Sequence, residues 1–368
     1  MPSPKIIISG GGTGGHIFPA IAIAEAIKKQ EPNAEFLFVG AKGRMEMERV
    51  PKAGYDIKGL WISGIQRSLT LKNLSFPFKL ISSLWNARKI VKSFKPDLAI
   101  GVGGYASGPL LKVATSLRIP SLIQEQNSYP GITNKLLAKS VDKICVAYEG
   151  LERWFPKEKI VMTGNPVRET VVDLEGKRTK AAESFNLDPE IPTLVVVGGS
   201  LGARTINESI EAGLQKIHKR GYQLIWQTGK LYTEQAQTAV RKIDSKKLVS
   251  LPFIDGMDYA YAMADVLISR AGAMSVSEIC LVARPSILVP SPNVAEDHQT
   301  KNAKALADRN AAILIKDADA RKELVESALN LLESQEQREE ISRNARKMAH
   351  ADASERIAEE ALNLTRKQ

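Results

Sequence analysis

A short apolar strand that runs into a glycine-rich loop and then into a helix is the pattern that most constrains how this chain folds. Residues 5–9 (KIIIS) lead into residues 10–16 (GGGTGGH), and apolar side chains then recur at spacings of three and four between Ile17 and Ile27. This succession predicts the first unit of a Rossmann-type parallel sheet, in which the loop and the start of the helix can approach a phosphate group.

The same loop also matches a dinucleotide fingerprint, but the next strand does not support that reading. Gly10, Gly12 and Gly15 satisfy G-x-G-x-x-G, which is a weak match in a run so rich in glycine. A dinucleotide dehydrogenase carries an acidic residue at the end of its second strand, roughly 20 residues further on. Here residues 36–39 form the predicted second strand, and residues 40–42 (GAK) follow it. The sequence therefore disfavours a nicotinamide cofactor.

The strand-then-loop pattern recurs along the chain, so both halves are expected to form parallel sheets. Loops rich in glycine or polar residues follow predicted strands at 101–109, 124–127, 198–204, 270–275 and 296–302. In an open parallel sheet such loops emerge at the carboxyl edge, where ligands bind. Pro and Gly punctuate residues 164–168, and the repeat begins again after them. We predict an α/β protein with two Rossmann-like domains, residues 1–164 and 165–349.

Length, cysteine usage and charge restrict the kind of protein further. A chain of 368 residues is too long for one ordinary core. Cys145 and Cys280 give no disulfide framework, which indicates a reducing cytosol. The sequence shows neither a signal-peptide pattern nor an apolar run near the roughly 20 residues that span a bilayer. A net charge of +10 indicates an anionic partner without identifying it.

Residues 269–278 (SRAGAMSVSE) predict a second phosphate-binding turn, in the second half of the chain. They follow an apolar strand, and Gly272 and Ala273 let a ligand approach the backbone closely. The helix that begins here offers unpaired N–H groups and the positive end of a dipole, which suit a diphosphate. Glu278 stands one turn further on, where its carboxylate could bind the two hydroxyls of a ribose. Ser275 and Glu278 are also spaced as a capping box, which is the structural alternative.

Taken together, these loops resemble the MurG family of glycosyltransferases. The matching segments keep the family's order across most of the chain: residues 11–16, 101–105, 125–127, 164–168, 198–204, 270–278 and 299–303. The resemblance implies the GT-B fold, in which two Rossmann-like domains face each other across a cleft and the last helix, here about 350–368, packs back on the first domain. It also implies inverting transfer of N-acetylglucosamine from UDP-N-acetylglucosamine to undecaprenyl-pyrophosphoryl-N-acetylmuramoyl-peptide (lipid I). The product, lipid II, serves peptidoglycan synthesis, cell shape and cell division in bacteria.

The resemblance assigns donor binding mainly to the second half of the chain. The residues it implies there are Arg168, Ser200, Ile254, Ala273, Met274, Ser275, Glu278 and Gln299, with Thr13, Gly14, Gly15 and Asn127 closing on the donor from the first half. Ile254 resembles a family position whose backbone pairs with uracil. The family is often glutamine-rich just before the position of Gln299, so Asp297 and His298 depart from its pattern.

Catalysis and acceptor binding are assigned to the first half. His16 is the leading candidate for the general base, because an imidazole titrates near neutral pH. Its alternative roles are to bind the acceptor's pyrophosphate or to order the loop, and Glu125 is the second candidate for the base. The resemblance implies acceptor contacts at Gly103, Gly104 and Tyr105.

Three other functions are alternatives to glycosyl transfer to lipid I. A UDP-N-acetylglucosamine 2-epimerase and a glycosyltransferase to another lipid, such as diacylglycerol, would keep the fold and change the chemistry. A non-catalytic UDP-sugar sensor would keep only the donor site. No metal site is predicted, because the four histidines lack ligand spacing. We expect no required cofactor, although a divalent cation is compatible with the sequence, and no nucleic-acid partner.

A basic and apolar stretch in the first half predicts docking to a membrane. No acidic residue occurs between Asp56 and Asp97. The predicted membrane residues in this stretch are the apolar Phe76, Phe78 and Trp85 and the basic Lys72, Lys79, Arg88 and Lys89. Pro77 is expected to force a loop between the two phenylalanines. Cations around exposed apolar side chains suit an anionic surface, so we predict a peripheral protein on the cytoplasmic face of the inner membrane.

Overall fold

The computed structural model describes residues 3–64, 75–199, 202–294 and 297–366. The chain divides into two compact units, Met1–Arg168 with His350–Gln368, and Glu169–Ala349. The sequence predicted a domain boundary after residue 164, and the contacts divide the chain after Arg168. In the described part of the chain, no helix is both long enough and apolar enough to cross a membrane.

The first unit is built on a parallel sheet with apolar helices on both faces. Its strands are β1 (Lys5–Ser9), β2 (Glu35–Ala41), β3 (Ile57–Leu60), β4 (Leu98–Gly101), β5 (Ser121–Glu125), β6 (Lys143–Val146) and β7 (Ile160–Met162). They lie in the order β3-β2-β1-β4-β5-β6-β7. Alternate residues of a strand face opposite sides, so Ile7 packs in one core while Ile6 and Ile8 pack in the other.

The helices of this unit begin where the strand loops end. They are α1 (Gly14–Gln30), α2 (Glu46–Lys52), α3 (Phe76–Phe94), α4 (Ser107–Ser116) and α5 (Ile132–Leu137), with short 3-10 helices at Leu151–Arg153 and Lys157–Lys159. Because β1 pairs with both β2 and β4, the direction of strand addition reverses at β1. Ligands bind at such a switch point in open α/β sheets. The glycine-rich loops after β1 and β4 both emerge there.

The second unit repeats this design. Its strands are β8 (Thr193–Val197), β9 (Gln223–Gln227), β10 (Leu248–Leu251), β11 (Val266–Ser269), β12 (Ser286–Leu288) and β13 (Ile313–Leu314). All pair in parallel, in the order β10-β9-β8-β11-β12-β13. Its switch point lies between β8 and β11, where Val197 pairs with Ser269.

Nine helices of the described residues surround this second sheet. They are α6 (Glu169–Val172), α7 (Arg178–Phe185), α8 (Arg204–Lys219), α9 (Thr233–Ile243), α10 (Met257–Met263), α11 (Ala273–Val282), α12 (His298–Ala307), α13 (Ala320–Glu333) and α14 (Gln335–Lys347). The two faces of β8 illustrate the packing, since Leu194 and Val196 enter one core and Val195 enters the other.

The last helix of the chain, α15 (Ala353–Arg366), belongs to the first unit. Ile357, Ala358 and Ala361 are fully buried and share a core with Ile17 and Ile21 of α1. Two hydrogen bonds add to this packing. Ser354 Oγ donates to the carbonyl of Val167 at 3.4 Å, and Arg356 donates to that of Met162 at 2.5 Å.

Candidate functional site

The helix α11 brings together the predicted diphosphate-binding residues of the second unit. Gly272 is its N-cap, with extended backbone angles (φ −63°, ψ 146°). Ala273, Met274 and Ser275 therefore form the first turn, whose amides have no carbonyl one turn earlier to bind. These N–H groups and the positive end of the helix dipole lie at the switch point of the sheet. They can hold a diphosphate.

The capping-box alternative for Ser275 and Glu278 is wrong. With Gly272 as N-cap, Ser275 is the third helical residue and Glu278 is the sixth. A capping box requires the serine at the N-cap and the glutamate at the third position. Glu278 is therefore not a capping partner of Ser275.

Glu278 is oriented by a buried tyrosine that the sequence analysis did not identify. The phenol of Tyr261, on α10, donates a 2.6 Å hydrogen bond to Oε2 of Glu278. Tyr261 is only 3% exposed. Burial, together with the charge of Glu278 and the hydrogen bond to it, raises the pKa of Tyr261 well above its ordinary value. The phenol thus stays protonated and remains a donor to the carboxylate.

Ile254, the predicted uracil-binding position, is buried, and its amide is already engaged. The N–H of Ile254 donates to Oε1 of Gln227 at 2.9 Å, and Gln227 is itself buried at the end of β9. A uracil bound here would pair with the backbone carbonyl of Ile254, or it would first displace the Gln227 side chain from the amide. The sequence analysis did not identify Gln227.

Two neighbouring side chains fix the loops beside α11. Gln299 accepts a 2.8 Å hydrogen bond from the amide of Ser291 through Oε1, which leaves its side-chain nitrogen as the donor for a sugar hydroxyl. Arg270 donates to the carbonyl of Val289 at 3.0 Å and to Oδ1 of Asp317 at 2.5 Å. Arg270 therefore supports the loop and does not present its charge to a ligand.

The loop after β8 contains the remaining predicted donor residue of this unit. Ser200 lies outside the described residues. Gly202 has a φ of +81°, and a Cβ there would stand 2.3 Å from the carbonyl of Thr228, so the close approach of the two loops requires glycine.

Arg168, predicted to serve the donor from the second domain, ends the first unit instead. Its guanidinium lies 4.6 Å from the centre of the Phe18 ring, on α1. Stacking on an aromatic face restrains the side chain while the charge is retained.

In the first unit, the loops after β1 and β4 touch at their glycines. Thr13 is the N-cap residue of α1, so Gly14 and Gly15 open its first turn. Gly104 has a φ of +89°, and a Cβ there would lie 2.4 Å from the carbonyl oxygen of Gly11. Any side chain at Gly104 would separate the loops. Tyr105, beside it, is half exposed, and its ring covers Gly64.

His16 lies at the junction of these loops. Its Nδ1 is 3.1 Å from the carbonyl oxygen of Gly11, and because a carbonyl can only accept, Nδ1 carries the proton in that bond. A Cβ at Gly103 would stand 3.0 Å from Nε2 of His16, so a side chain there would press on the imidazole. In the neutral ring Nε2 is the atom that can accept a proton.

Glu125, the second candidate for the general base, accepts four hydrogen bonds from the loop and helix that follow it. It is 1% exposed. Oε1 accepts from the amide of Asn127 at 3.0 Å and from its side-chain nitrogen at 3.2 Å. Oε2 accepts from the amide of Gly131 at 3.0 Å and from Nδ2 of Asn134 at 2.9 Å. These four bonds make Glu125 a support for Asn127 and favour His16 as the proton acceptor.

A second buried carboxylate, Glu46, was missed in the sequence. It opens α2 and is fully buried. Oε2 accepts from the amide of Gly12 at 2.9 Å, and Oε1 accepts from that of Ala41 at 2.9 Å. Glu46 thereby ties the glycine-rich loop to the end of β2.

The predicted membrane surface is a helix face, with two corrections. Pro77 does not force a loop, because α3 begins at Phe76 and proline is tolerated in a first helical turn. Phe76 is partly buried against the core of the unit and is not available for insertion. Phe78 is 71% exposed and Trp85 is 59% exposed, and Ile81, which the sequence analysis missed, is 66% exposed.

Cations surround these apolar side chains. Lys89 lies 3.4 Å from the centre of the Trp85 ring, and Arg88 beside it is exposed. Lys79 donates to Oγ of Ser63 at 3.0 Å. Lys72 lies outside the described residues.

Across the four described ranges, no group of three or more His, Cys, Asp or Glu side chains is placed to hold a metal ion. Cys145 and Cys280 are buried, and burial raises the pKa of each thiol to about 12, so both are poor nucleophiles at neutral pH.

Comparison with known proteins agrees with this geometry. Two parallel-sheet units, each with its glycine-containing loops at the switch point, are the architecture of GT-B glycosyltransferases. The N-terminal domain model of glycosyltransferase family 28 matches residues 6–146, and the C-terminal domain model matches residues 193–357. The crystal structure of MurG from Acinetobacter baumannii is similar to this one with a TM-score of 0.77 at 28% identity, over 98% of this chain and 100% of that one.

Relatives in sequence identify the family more closely. The chain is 56% identical, over 100% of both proteins, to the UDP-N-acetylglucosamine--N-acetylmuramyl-(pentapeptide) pyrophosphoryl-undecaprenol N-acetylglucosamine transferase of Cytophaga hutchinsonii. It is 57% identical to the transferase of the same name from Phocaeicola vulgatus, over 99% of this chain and 97% of that protein. The chain belongs to the MurG family, within glycosyltransferase family 28. The predicted family and the predicted GT-B fold are confirmed.

A UDP-GlcNAc 2-epimerase from Neisseria meningitidis shares the fold alone. Its structure has a TM-score of 0.69 at 14% identity. That likeness therefore gives no support to the epimerase alternative.

Proposed function

We propose that this protein transfers N-acetylglucosamine from UDP-N-acetylglucosamine to undecaprenyl-pyrophosphoryl-N-acetylmuramoyl-peptide, forming lipid II. One observation carries the proposal: identity of 52–57% extends over nearly the whole chain to transferases named for that reaction. Both units are included in the match, so the similarity extends beyond a shared nucleotide-binding domain.

The second unit binds the donor in this proposal. The α11 amides hold the diphosphate, Glu278 accepts hydrogen bonds from the ribose hydroxyls, and Gln299 donates to a hydroxyl of the sugar. The orientation of Glu278 by Tyr261 supports the ribose contact, because a carboxylate already held in place loses little freedom on binding. The helix end also stabilises the charge that grows on the leaving diphosphate.

The first unit supplies the base and binds the acceptor. A hydroxyl of the muramyl sugar attacks the anomeric carbon, the bond from that carbon to the diphosphate oxygen breaks, and UDP leaves with inversion. Nε2 of His16 takes the proton of the attacking hydroxyl. The bond from Nδ1 to the Gly11 carbonyl supports this role, because it leaves Nε2 as the basic nitrogen. In this proposal the acceptor contacts the loop beside His16 that contains Gly103, Gly104 and Tyr105.

The acceptor is a lipid, so the protein works as a peripheral protein at an anionic membrane. The surface formed by Phe78, Ile81 and Trp85 with Arg88 and Lys89 supports this part of the proposal. Each cation near an anionic surface contributes about 1 kcal/mol, so a few suffice for reversible docking.

Release of UDP separates the proposed reaction from its alternatives. Purified protein is incubated with UDP-N-acetylglucosamine, with and without the lipid-linked muramyl-peptide. UDP that appears only with this acceptor supports the proposal. UDP released with diacylglycerol instead would indicate a transferase to another lipid. An epimerised sugar would indicate an epimerase, and no release of UDP at all would indicate a sensor. A chelator added to a parallel reaction tests the expectation that no metal is required.

A further inference from the structure

We propose that Glu46 is a positioning residue for His16, acting through the peptide unit that joins Gly11 to Gly12. Nδ1 of His16 lies 3.1 Å from the carbonyl oxygen of Gly11, and the amide of Gly12 donates to Oε2 of Glu46 at 2.9 Å. That carbonyl and that amide are two ends of the same peptide plane. The carboxylate, the peptide and the imidazole therefore form one continuous chain of hydrogen bonds.

The carboxylate is held so that it cannot turn away from this chain. Its other oxygen accepts from the amide of Ala41 at 2.9 Å, at the end of a different strand. A Cβ at Gly11 would stand 2.3 Å from Oε1 of Glu46, and a Cβ at Gly40 would stand 2.5 Å from its Cγ. Glycines at both positions make room for the Glu46 side chain in its buried pocket.

The opposite side of the peptide is restrained as well. Gly104, in the loop after β4, lies against the Gly11 carbonyl so closely that a Cβ would come within 2.4 Å of that oxygen. The peptide is thus fixed between Glu46 on one side and the loop of Gly104 on the other. Both contacts restrain the carbonyl in the direction of His16.

A charge at the amide end of a peptide strengthens its carbonyl as an acceptor. Hydrogen bonds in a chain polarise one another, most of all where one member is ionised and the site is buried. The Gly11 carbonyl then holds the proton on Nδ1 of His16, which fixes the tautomer and makes Nε2 the basic nitrogen. Carboxylates that orient a histidine directly do the same for metal ligands and catalytic bases. Here a peptide group stands between the two side chains.

The inference rests on the proposed role of His16 as the base, but its test does not depend on transfer activity. Nitrogen NMR of the imidazole distinguishes a ring protonated at Nδ1 from one protonated at Nε2. The protein has four histidines, and the His16 signal is assigned by its loss in His16→Ala. In the unaltered protein at a pH where the ring is neutral, His16 is expected as the Nδ1-protonated tautomer. Finding it protonated at Nε2 would overturn the proposal without any variant.

Glu46→Gln is the decisive substitution. Its amide oxygen can accept from only one of the two backbone amides, and its NH₂ group opposes the other. We expect a mixture of His16 tautomers and a fall in kcat of about 10- to 100-fold, with KM for UDP-N-acetylglucosamine unchanged. Glu48→Gln, at an exposed position on the same helix, is the matched control and should change neither property.

Folding of the variant is checked by circular dichroism and by thermal unfolding beside the unaltered protein. A folded Glu46→Gln protein whose His16 keeps the Nδ1 proton and whose kcat is unchanged would reduce Glu46 to a structural support. Should the unaltered protein show the expected tautomer but no transfer to the lipid acceptor, the proposed function fails while the positioning of His16 stands.

Discussion

The phenol of Tyr261 donates a 2.6 Å hydrogen bond to Oε2 of Glu278, so a buried tyrosine on α10 sets the direction of a carboxylate on α11. The two residues are 17 positions apart in the sequence and belong to different helices. The bond restrains the Glu278 carboxylate before any ligand binds. Substitutions of Tyr261 and Glu278 therefore test the proposed contact with the ribose of the donor.

Tyr261→Phe is expected to weaken UDP binding by roughly 10-fold. Only the hydroxyl is lost, while the ring and its packing remain. Ordering the unrestrained Glu278 side chain when UDP binds then costs about 0.5–1.5 kcal/mol, and the upper value corresponds to roughly 10-fold. Titration calorimetry with UDP measures the effect, and Tyr259→Phe, on the same helix, is the control. Glu278→Ala should weaken binding further, and adding Tyr261→Phe to it should cost nothing more. Normal UDP binding by Glu278→Ala would remove Glu278 from the donor site.

The free energy of unfolding of the same variants tests the hydrogen bond between Tyr261 and Glu278. Glu278→Ala leaves the buried hydroxyl of Tyr261 without this acceptor, which should lower the free energy of unfolding by about 1–3 kcal/mol. Adding Tyr261→Phe removes the stranded hydroxyl and should restore most of that loss. Urea denaturation of the two single variants and the double variant gives the comparison. A double variant less stable than Glu278→Ala would show that the Tyr261 hydroxyl stabilises the protein through a contact other than its bond to Glu278.

The sequence predicts the loops of the candidate site, but it does not identify the buried side chains that hold those loops in place. Strand, glycine loop and helix can be read from local patterns, because each pattern lies within one continuous stretch such as residues 5–27. Glu46, Gln227 and Tyr261 act on residues that come near them only after folding. Nothing in their local sequence distinguishes them from ordinary residues of a helix start or a strand end.

The membrane surface shows a different limit of sequence reasoning. Proline in an apolar stretch predicts a break in a helix, but Pro77 lies in the first turn of α3, where proline is tolerated. In a continuous helix, the position of a residue around the helix axis determines whether its side chain is exposed. Phe76 turns to the core and Ile81 to the surface, which composition alone does not determine.

His16→Ala should lower turnover by about 100-fold or more and leave UDP affinity nearly intact, as expected when a general base is removed. Steady-state kinetics and UDP calorimetry on the same preparation measure the two effects. Glu125→Gln is the informative comparison, because Glu125 supports Asn127 and its loop through four hydrogen bonds. Preserved turnover in His16→Ala would mean that another group accepts the proton.

Binding to anionic liposomes is expected to weaken with salt, since screening reduces the attraction of Lys79, Arg88 and Lys89. Reversing these three and Lys72 to glutamate should abolish sedimentation with the vesicles while UDP binding stays normal. Ser substitutions at Phe78, Ile81 and Trp85 should weaken binding with less effect on its salt dependence. Reversal of four exposed lysines on the second unit, Lys219, Lys242, Lys246 and Lys322, is the matched charge control. Liposome binding that survives the first set of reversals would place the docking surface elsewhere.

Analysis of the product tests the proposed reaction most directly. Purified protein is incubated with UDP-N-acetylglucosamine and the undecaprenyl-pyrophosphoryl-N-acetylmuramoyl-peptide, and the lipid fraction is examined by mass spectrometry and NMR. The account predicts a lipid-linked disaccharide in which the added N-acetylglucosamine is β-linked, because the donor is α-linked and the displacement inverts the anomeric carbon. Absence of a disaccharide lipid, or an α-linked product, would contradict it.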